Sequence, residues 1–161
     1  MSTDKPDVQI EHENVDVMIR KAVPADVSFL FSSWLKSYRD SKFGESITTT
    51  IYYTEHHKVV ERLLKTCEVY VACNPKDQTE LFGYICGERV ENILVIHYAY
   101  VKHTYRQLGL GKMLLNQFSH APDTAAIFTH NTKAADRLAK KFNFVYSPYL
   151  ALTPNYRKEV K

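Results

Sequence analysis

Six consecutive residues, Arg106-Gln107-Leu108-Gly109-Leu110-Gly111, have the types and spacing of an anion cradle. They follow an apolar run, Ile93 to Val101, that reads as a strand, and open an amphipathic run, Leu110 to Phe118, that reads as a helix. At such a junction, glycines let the backbone approach an anion closely and adopt φ > 0. The N–H groups of the helix start then face the anion, and the helix dipole adds to the attraction. The spacing excludes two better-known cradles. A dinucleotide fingerprint, G-x-G-x-x-G, needs a third glycine where Leu114 stands. A P-loop needs a hydroxyl after its lysine, but Met113 follows Lys112, and no glycine stands five residues before Gly111. What remains is R-x-x-G-x-G, which an ordinary glycine-punctuated turn also satisfies.

The second chemical candidate is His97, the one titratable group on the central strand with an ordinary pKa near neutrality. It reads either as a base or as a hydrogen-bonded core histidine. Cys67, Cys73 and Cys86 are odd in number and form no C-x-x-C, so buried thiols in a reducing compartment are expected rather than disulfides. The seven histidines show no metal spacing, and adjacent His56 and His57 cannot share a helix face, so no metal is expected.

The bulk properties are those of a globular domain. The chain has 161 residues, enough for one sizeable core, with 45% hydrophobic and 24% charged residues. A net charge of +3 suits an anionic small ligand but is too small to argue for nucleic acid. Lys133, Arg137, Lys140 and Lys141 cluster on one helix, yet no aromatic residues interleave them. No segment reaches the ~18 apolar residues of a membrane span, and the N-terminus is polar, so a cytoplasmic protein is expected.

Residues 1–14 read as a flexible tail before a single domain, 15–161. Val15 to Val23 reads as a strand ended by Pro24. Val27, Leu30, Phe31, Trp34, Leu35 and Tyr38 recur at helical spacing. Ser41 to Tyr53 reads as a connection, and Thr54 as the cap of a helix carrying Val59, Val60, Leu63 and Leu64. Three strands follow, Glu68–Cys73, Leu81–Val90 and Ile93–Val101, with turns at Asn74–Asp77 and Glu91-Asn92. After the glycine turn come a helix, a break at Ala121-Pro122-Asp123 and a short strand, Ala126–His130. A last helix, capped by Asn131 or Thr132, buries Ala134, Ala135, Leu138 and Phe142 before an extended segment, Phe144–Leu152. The order β-α-α-β-β-β-α-β-α-β predicts a mixed sheet with helices on its faces, an α/β class of fold.

With these elements in order, the chain resembles the GNAT superfamily of acyl-CoA-dependent N-acyltransferases over roughly Val15 to Leu150. The resemblance rests on the element order, on Val101 to Lys112, and on Asn131 and Ala134 followed by Leu138, Lys141 and Phe144. It implies acetyl-CoA as co-substrate and a central strand splayed from its neighbour, Ala126–His130. Backbone N–H groups across Gln107, Leu108, Gly109, Leu110, Gly111 and Lys112 would hold the pyrophosphate. Tyr100 and Val101 would pair with the pantetheine amides, although Tyr100 also suits a core aromatic. Arg106 and Lys112 would neutralise phosphate charge or sit in solvent, and Asn131 would bond pantetheine or cap its helix.

Two departures from the family pattern stand out. The last helix carries Ala139 where members often place a tyrosine that protonates the leaving thiolate. The central strand reads Ile93-Leu94-Val95-Ile96 where a carboxylate often serves as base. His97 is then the candidate base and Tyr146 the candidate acid, with Tyr149 behind it; each also suits a packing role. Acidic Asp40 and Glu45 flank the acceptor region in such folds. The expected function is acetyl transfer from acetyl-CoA to a primary amine by direct attack in a ternary complex. The alternative is a catalytically weak member serving as a binding or structural module. The expected partner is an amine acceptor, small molecule or protein; a homodimer is compatible with this reading, and neither nucleic acid nor membrane is expected.

Overall fold

Successive side chains of a strand point to opposite faces, and here the two faces feed two different cores. In β2 (Glu68–Asn74) and β3 (Asp77–Val90), Val71, Cys73, Tyr84 and Cys86 join one core, and Ala72 and Ile85 join the other. The computed structural model describes residues 15–41, 46–119 and 124–152. The expected tail, Glu45 and the break at 121–123 lie outside the described residues.

β1 (Met18–Lys21) pairs antiparallel with β2, β2 with β3, and β3 with β4 (Ile93–Val101). β4 then pairs in parallel with β5 (Ala126–Phe128), and β5 with β6 (Phe144–Tyr146). The six strands therefore lie in sequence order in one mixed sheet, the α/β arrangement predicted. Glu91 and Asn92 make the β3–β4 turn with φ of 51° and 69°, the left-handed pair that matches hairpin twist.

Helices α1 (Val27–Arg39) and α2 (Thr49–Thr66) cover one face. Trp34 of α1 is fully buried there and stacks on Tyr98 of β4, with centroids 4.8 Å apart and planes 7° from parallel. Helices α3 (Leu110–Leu115) and α4 (Lys133–Lys141) belong to the other face, where Leu110, Leu114 and Phe118 meet Leu94 and Ile96.

Several boundaries differ from the sequence expectation. Thr48, not Thr54, caps α2: its hydroxyl accepts from the Ile51 N–H. Residues 49–53 are β-branched or aromatic and weak helix formers, yet burial of Tyr52 to 1% exposure outweighs that preference. β1 is shorter than Val15–Val23, although Val15 and Val17 still pack against the second core. A 3-10 turn at Pro24–Asp26 precedes α1, and Val27 is exposed. Ala135 and Ala139 of α4 and Phe142 just after it pack against the core, Ala134 faces outward, and the side chain of Leu138 lies outside those described. The segment expected to stay extended stops after Tyr146. The amides of Ala151 and Leu152 fold back onto the Pro148 carbonyl and make a helical turn, α5 (Tyr149–Leu152).

Asp26 ties the start of α1 to β1. Its carboxylate takes two hydrogen bonds from Arg20, at 2.7 and 3.1 Å, and one from the Val23 N–H at 2.8 Å. Burial pushes the Asp26 carboxyl up, but Arg20 and the Val23 N–H outweigh it and hold the group below its ordinary value. Removing the charge while keeping the shape, Asp26→Asn, should cost about 2 kcal/mol near neutral pH. A carboxyl depressed in the fold stabilises above its ordinary pKa of about 4, and that contribution fades as pH falls below it. Urea midpoints should therefore differ clearly between the two proteins at about pH 7 and converge toward about pH 3.

Candidate active site

The parallel ladder between β4 and β5 is short. Leu94, Val95 and Ile96 face Ala126, Ile127 and Phe128, and the last bond runs from the Thr129 N–H to the Ile96 carbonyl at 3.1 Å. β4 continues for five more residues, His97 to Val101, of which Tyr98 to Val101 are paired on the β3 side. The splay implied by the resemblance is thus present. Its pivot is a bulge. Cys86 faces Tyr98 and Gly87 faces Ile96, so His97 is an extra residue with no counterpart on β3. The extra residue switches the side-chain alternation: Leu94 and Ile96 serve the α3 core, whereas Tyr98 and Tyr100 serve the α1–α2 core. Tyr100 packs beside Tyr84 and Phe29, so its ring takes the core role.

Beyond Val101 the chain makes a 3-10 turn, His103–Leu108, and enters α3 through Gly109 at φ 73°. A Cβ built on Gly109 or Gly111 meets nothing within 4 Å. The first helical bond of α3 joins the Met113 N–H to the Gly109 carbonyl. The N–H groups of Leu110, Gly111 and Lys112 precede it and have no partner within α3. Bare backbone donors beside open space are what a pyrophosphate needs, so the turn fits the group. Gln107 and Lys112 are exposed, Leu108 is half-buried, and Leu110 anchors the helix in the core at 1% exposure. Arg106 donates through Nε to the Val101 carbonyl at 3.0 Å, tying the turn to the strand end. That bond engages a carbonyl which the resemblance assigns to pantetheine.

His97 is 1% exposed. Its Nε2 lies 2.5 Å from Glu88 Oε2 and its Nδ1 lies 3.0 Å from Thr129 Oγ1. The chain goes on: Thr129 Oγ1 lies 3.0 Å from His130 Nδ1, and His130 Nε2 lies 2.9 Å from His56 Nε2. Either polarity satisfies both ring nitrogens of His97 and of His130. With His97 cationic, Nδ1–H donates to Thr129, Thr129 to His130, and His130 to His56. With His97 neutral, Nε2–H still donates to Glu88 while the bonds from Thr129 to His56 reverse, and the proton has moved to His56. Burial lowers His97, but hydrogen bonds with Cys67 and Glu88 outweigh this and hold it above its ordinary value. Burial alone pulls His56 down to about 4 and, with neighbouring histidines, drives His130 well below its usual range. A proton that enters this chain is therefore held best at the His97 end.

The other candidates separate. Thr132 caps α4, its hydroxyl accepting from the Ala135 N–H at 3.0 Å. The capping role left open for Asn131 thus falls to its neighbour, and Asn131 is exposed at the splay, its backbone bonded to the Tyr38 hydroxyl. Tyr146 is 42% exposed at the end of β6, its ring 5.4 Å from Phe128 and its hydroxyl within electrostatic reach of Tyr38. Tyr149 sits on α5, exposed. Asp40 ends α1 and is exposed.

These features together, a mixed sheet splayed beside β4 and a bare glycine turn at its end, define an acyl-CoA-dependent transferase fold. The profile of the acetyltransferase (GNAT) family matches residues 31–144, and the chain belongs to that family, whose co-substrate is acetyl-CoA. No curated protein sequence matches it. Among solved structures, the histone acetyltransferase HPA2 and related acetyltransferase of Corynebacterium glutamicum is 13% identical, with a TM-score of 0.57 over 77% of this chain and 82% of that one. Apo YjaB of Escherichia coli is 20% identical over 67% and 68%, with a TM-score of 0.48. The PaiA N-acetyltransferase of Thermoplasma acidophilum, solved with coenzyme A, is 16% identical over 65% and 70%, with a TM-score of 0.46.

The sequence reading missed Glu88, Thr129, His130 and His56. Two signals were there: Glu88 is a carboxylate closing the run Leu81 to Gly87, and Thr129-His130 follows the carboxyl end of a short apolar strand. His56 provides a test of the buried chain. A histidine depressed in the fold stabilises above its ordinary pKa of about 6.5 and withdraws that contribution as pH falls toward its folded value. His97, raised in the fold, works in the opposite sense. His56→Gln should therefore flatten the loss of stability between about pH 6.5 and 4, by up to about 3 kcal/mol, in urea titrations across that window.

Proposed function

We propose that the protein transfers an acetyl group from acetyl-CoA to a primary amine by direct attack in a ternary complex. The observation that carries this reading is the open edge of β4 from His97 to Val101 leading straight into the bare turn at Gly109 and Gly111. An extended pantetheine arm would add to that edge as a strand does, with its pyrophosphate on the turn. Acetyl-CoA supplies the activated acetyl thioester. The rest falls to this chain's own groups. The amine must lose a proton, and the wire from His56 through His130 and Thr129 to His97 supports His97 as its sink, with Glu88 stabilising the imidazolium. Glu88 on β3 would thus stand in for the carboxylate missing from β4. With Ala139 on α4, Tyr146 is the proposed donor to the leaving thiolate. Asp40 at the end of α1 would favour a cationic acceptor.

The same Ala139 favours the second reading, a member that binds acetyl-CoA and turns it over weakly or not at all. Calorimetry with acetyl-CoA followed by an amine panel read by free-thiol release separates the two. Binding with turnover supports the transferase, and binding without turnover on any amine supports the module. Gly111→Val should fold, because a Cβ there meets nothing within 4 Å, yet weaken acetyl-CoA at least about tenfold, 1.4 kcal/mol. Unchanged affinity would move the cradle elsewhere. Tyr146→Phe should lower turnover about 10²-fold or more with an unchanged melting temperature if the hydroxyl is the acid. Lost stability with intact turnover would make Tyr146 a packing residue.

A further inference from the structure

At the other end of His97, three side chains with metal-ligating atoms converge beneath the C-terminal end of α2. Cys67 follows that helix directly, and its Sγ lies 3.3 Å from Glu88 Oε2. The same oxygen lies 2.5 Å from His97 Nε2, and all three donor atoms lie within 4.8 Å of one another. Glu88 and His97 are buried and Cys67 is half-buried. Cys67 also borders a cleft of 410 Å³ lined by Lys21, Val23, Leu30, Leu64 and Val69. No step of the proposed acetyl transfer uses Cys67 or this cleft.

We infer that Cys67, Glu88 and His97 form a zinc site, with a water from the cleft in the fourth position. Thiolate, carboxylate and imidazole are the ligand types zinc takes, at about 2.0–2.3 Å, which sets the edges of the tetrahedron at about 3.4 Å. The Cys67–Glu88 separation already has that length, and the Glu88–His97 pair needs to open by about 1 Å to admit the ion. A thiolate and a carboxylate balance the charge of Zn²⁺, so the buried site becomes neutral. The imidazole is also correctly held: with Nε2 on the metal, Nδ1–H donates to Thr129 Oγ1, the kind of supporting bond that fixes a ligating histidine. Held in this way His97 has no nitrogen left for the amine's proton, so zinc and the proton-sink role of Glu88 and His97 exclude each other. Zinc takes the place of the proton shared between Glu88 and His97, and Cys67, whose thiol is held low by hydrogen bonds with Cys86 and His97, joins as the thiolate. The cleft supplies both the entry path and the solvent ligand.

The test uses the full chain stripped with a chelator and titrated with Co²⁺, then Zn²⁺. One equivalent of Co²⁺ should produce a thiolate-to-cobalt charge-transfer band and the intense visible bands of a four-coordinate ion. Zn²⁺ should displace it and raise the melting temperature. Cys67→Ser should lose the charge-transfer band, and Cys73→Ala, whose thiol is buried elsewhere in the core, should keep it. Thr129→Val should bind about 10–100-fold more weakly while still giving the band. A folded parent with no band and no zinc-dependent change in melting temperature overturns the site, as does a band that survives in Cys67→Ser. Acetyl-CoA affinity, measured in the same samples, reports on the glycine cradle alone.

Discussion

His97 is one residue more than the β3–β4 ladder can pair, and much of the molecule's geometry follows from accommodating it. The extra residue turns the outer half of β4 over, so that Tyr98 and Tyr100 face α1 and α2 while Ile96, two residues before Tyr98, faces α3. It also coincides with the point where β4 and β5 part. A bulge adds twist to its strand, so a neighbour that follows β4 as far as Ile96 loses it afterwards. The backbone edge left beyond is where we propose that acetyl-CoA lies. The bulge is held from both sides, by Glu88 through one imidazole nitrogen and Thr129 through the other.

That double anchorage explains why a polar ring is tolerated in the middle of a sheet. A buried imidazole without partners would cost several hydrogen bonds' worth of desolvation. Here the polar groups come from four elements, β3, β4, the end of β5 and α2, and each satisfies the next. Such a chain is cooperative. Loss of one member leaves its neighbours buried and unsatisfied, so the network specifies how α2 sits on the sheet as well as where a proton rests. It also links Cys67 at the cleft, through Glu88, His97, Thr129 and His130, to His56 beside the rings of Tyr38 and Tyr52.

Which of this the sequence discloses depends on range. The glycine turn, the Glu91-Asn92 hairpin and the apolar stripe of α1 are local patterns, written within a few residues, and they appear where expected. The start of α2 is misread because Thr49 to Tyr53 are poor helix formers locally, and only the burial of Tyr52 against Tyr38 makes them helical. The polar cluster is harder still. Cys67, Glu88 and His97 lie too far apart for any metal or triad spacing, and it takes the pairing of β3 with β4 and the return of α2 to bring them together. The bulge itself leaves no mark in the run Ile93 to Val101, since one extra residue in an unbroken apolar strand changes nothing but its register. Glu88 and the Thr129-His130 pair are the legible remainder, as polar residues at the ends of apolar runs.

Trp34 is the chain's single tryptophan, and it lies flat on Tyr98, just past the bulge, with His130 edge-on at 5.2 Å. Its indole therefore touches both the outer half of β4 and His130, two residues past β5. The molecule carries a built-in fluorophore at the mouth of its own splay. Emission from that one ring reports the docking of α1, the protonation of the neighbouring imidazole and any strand that comes to lie along β4, all without a label.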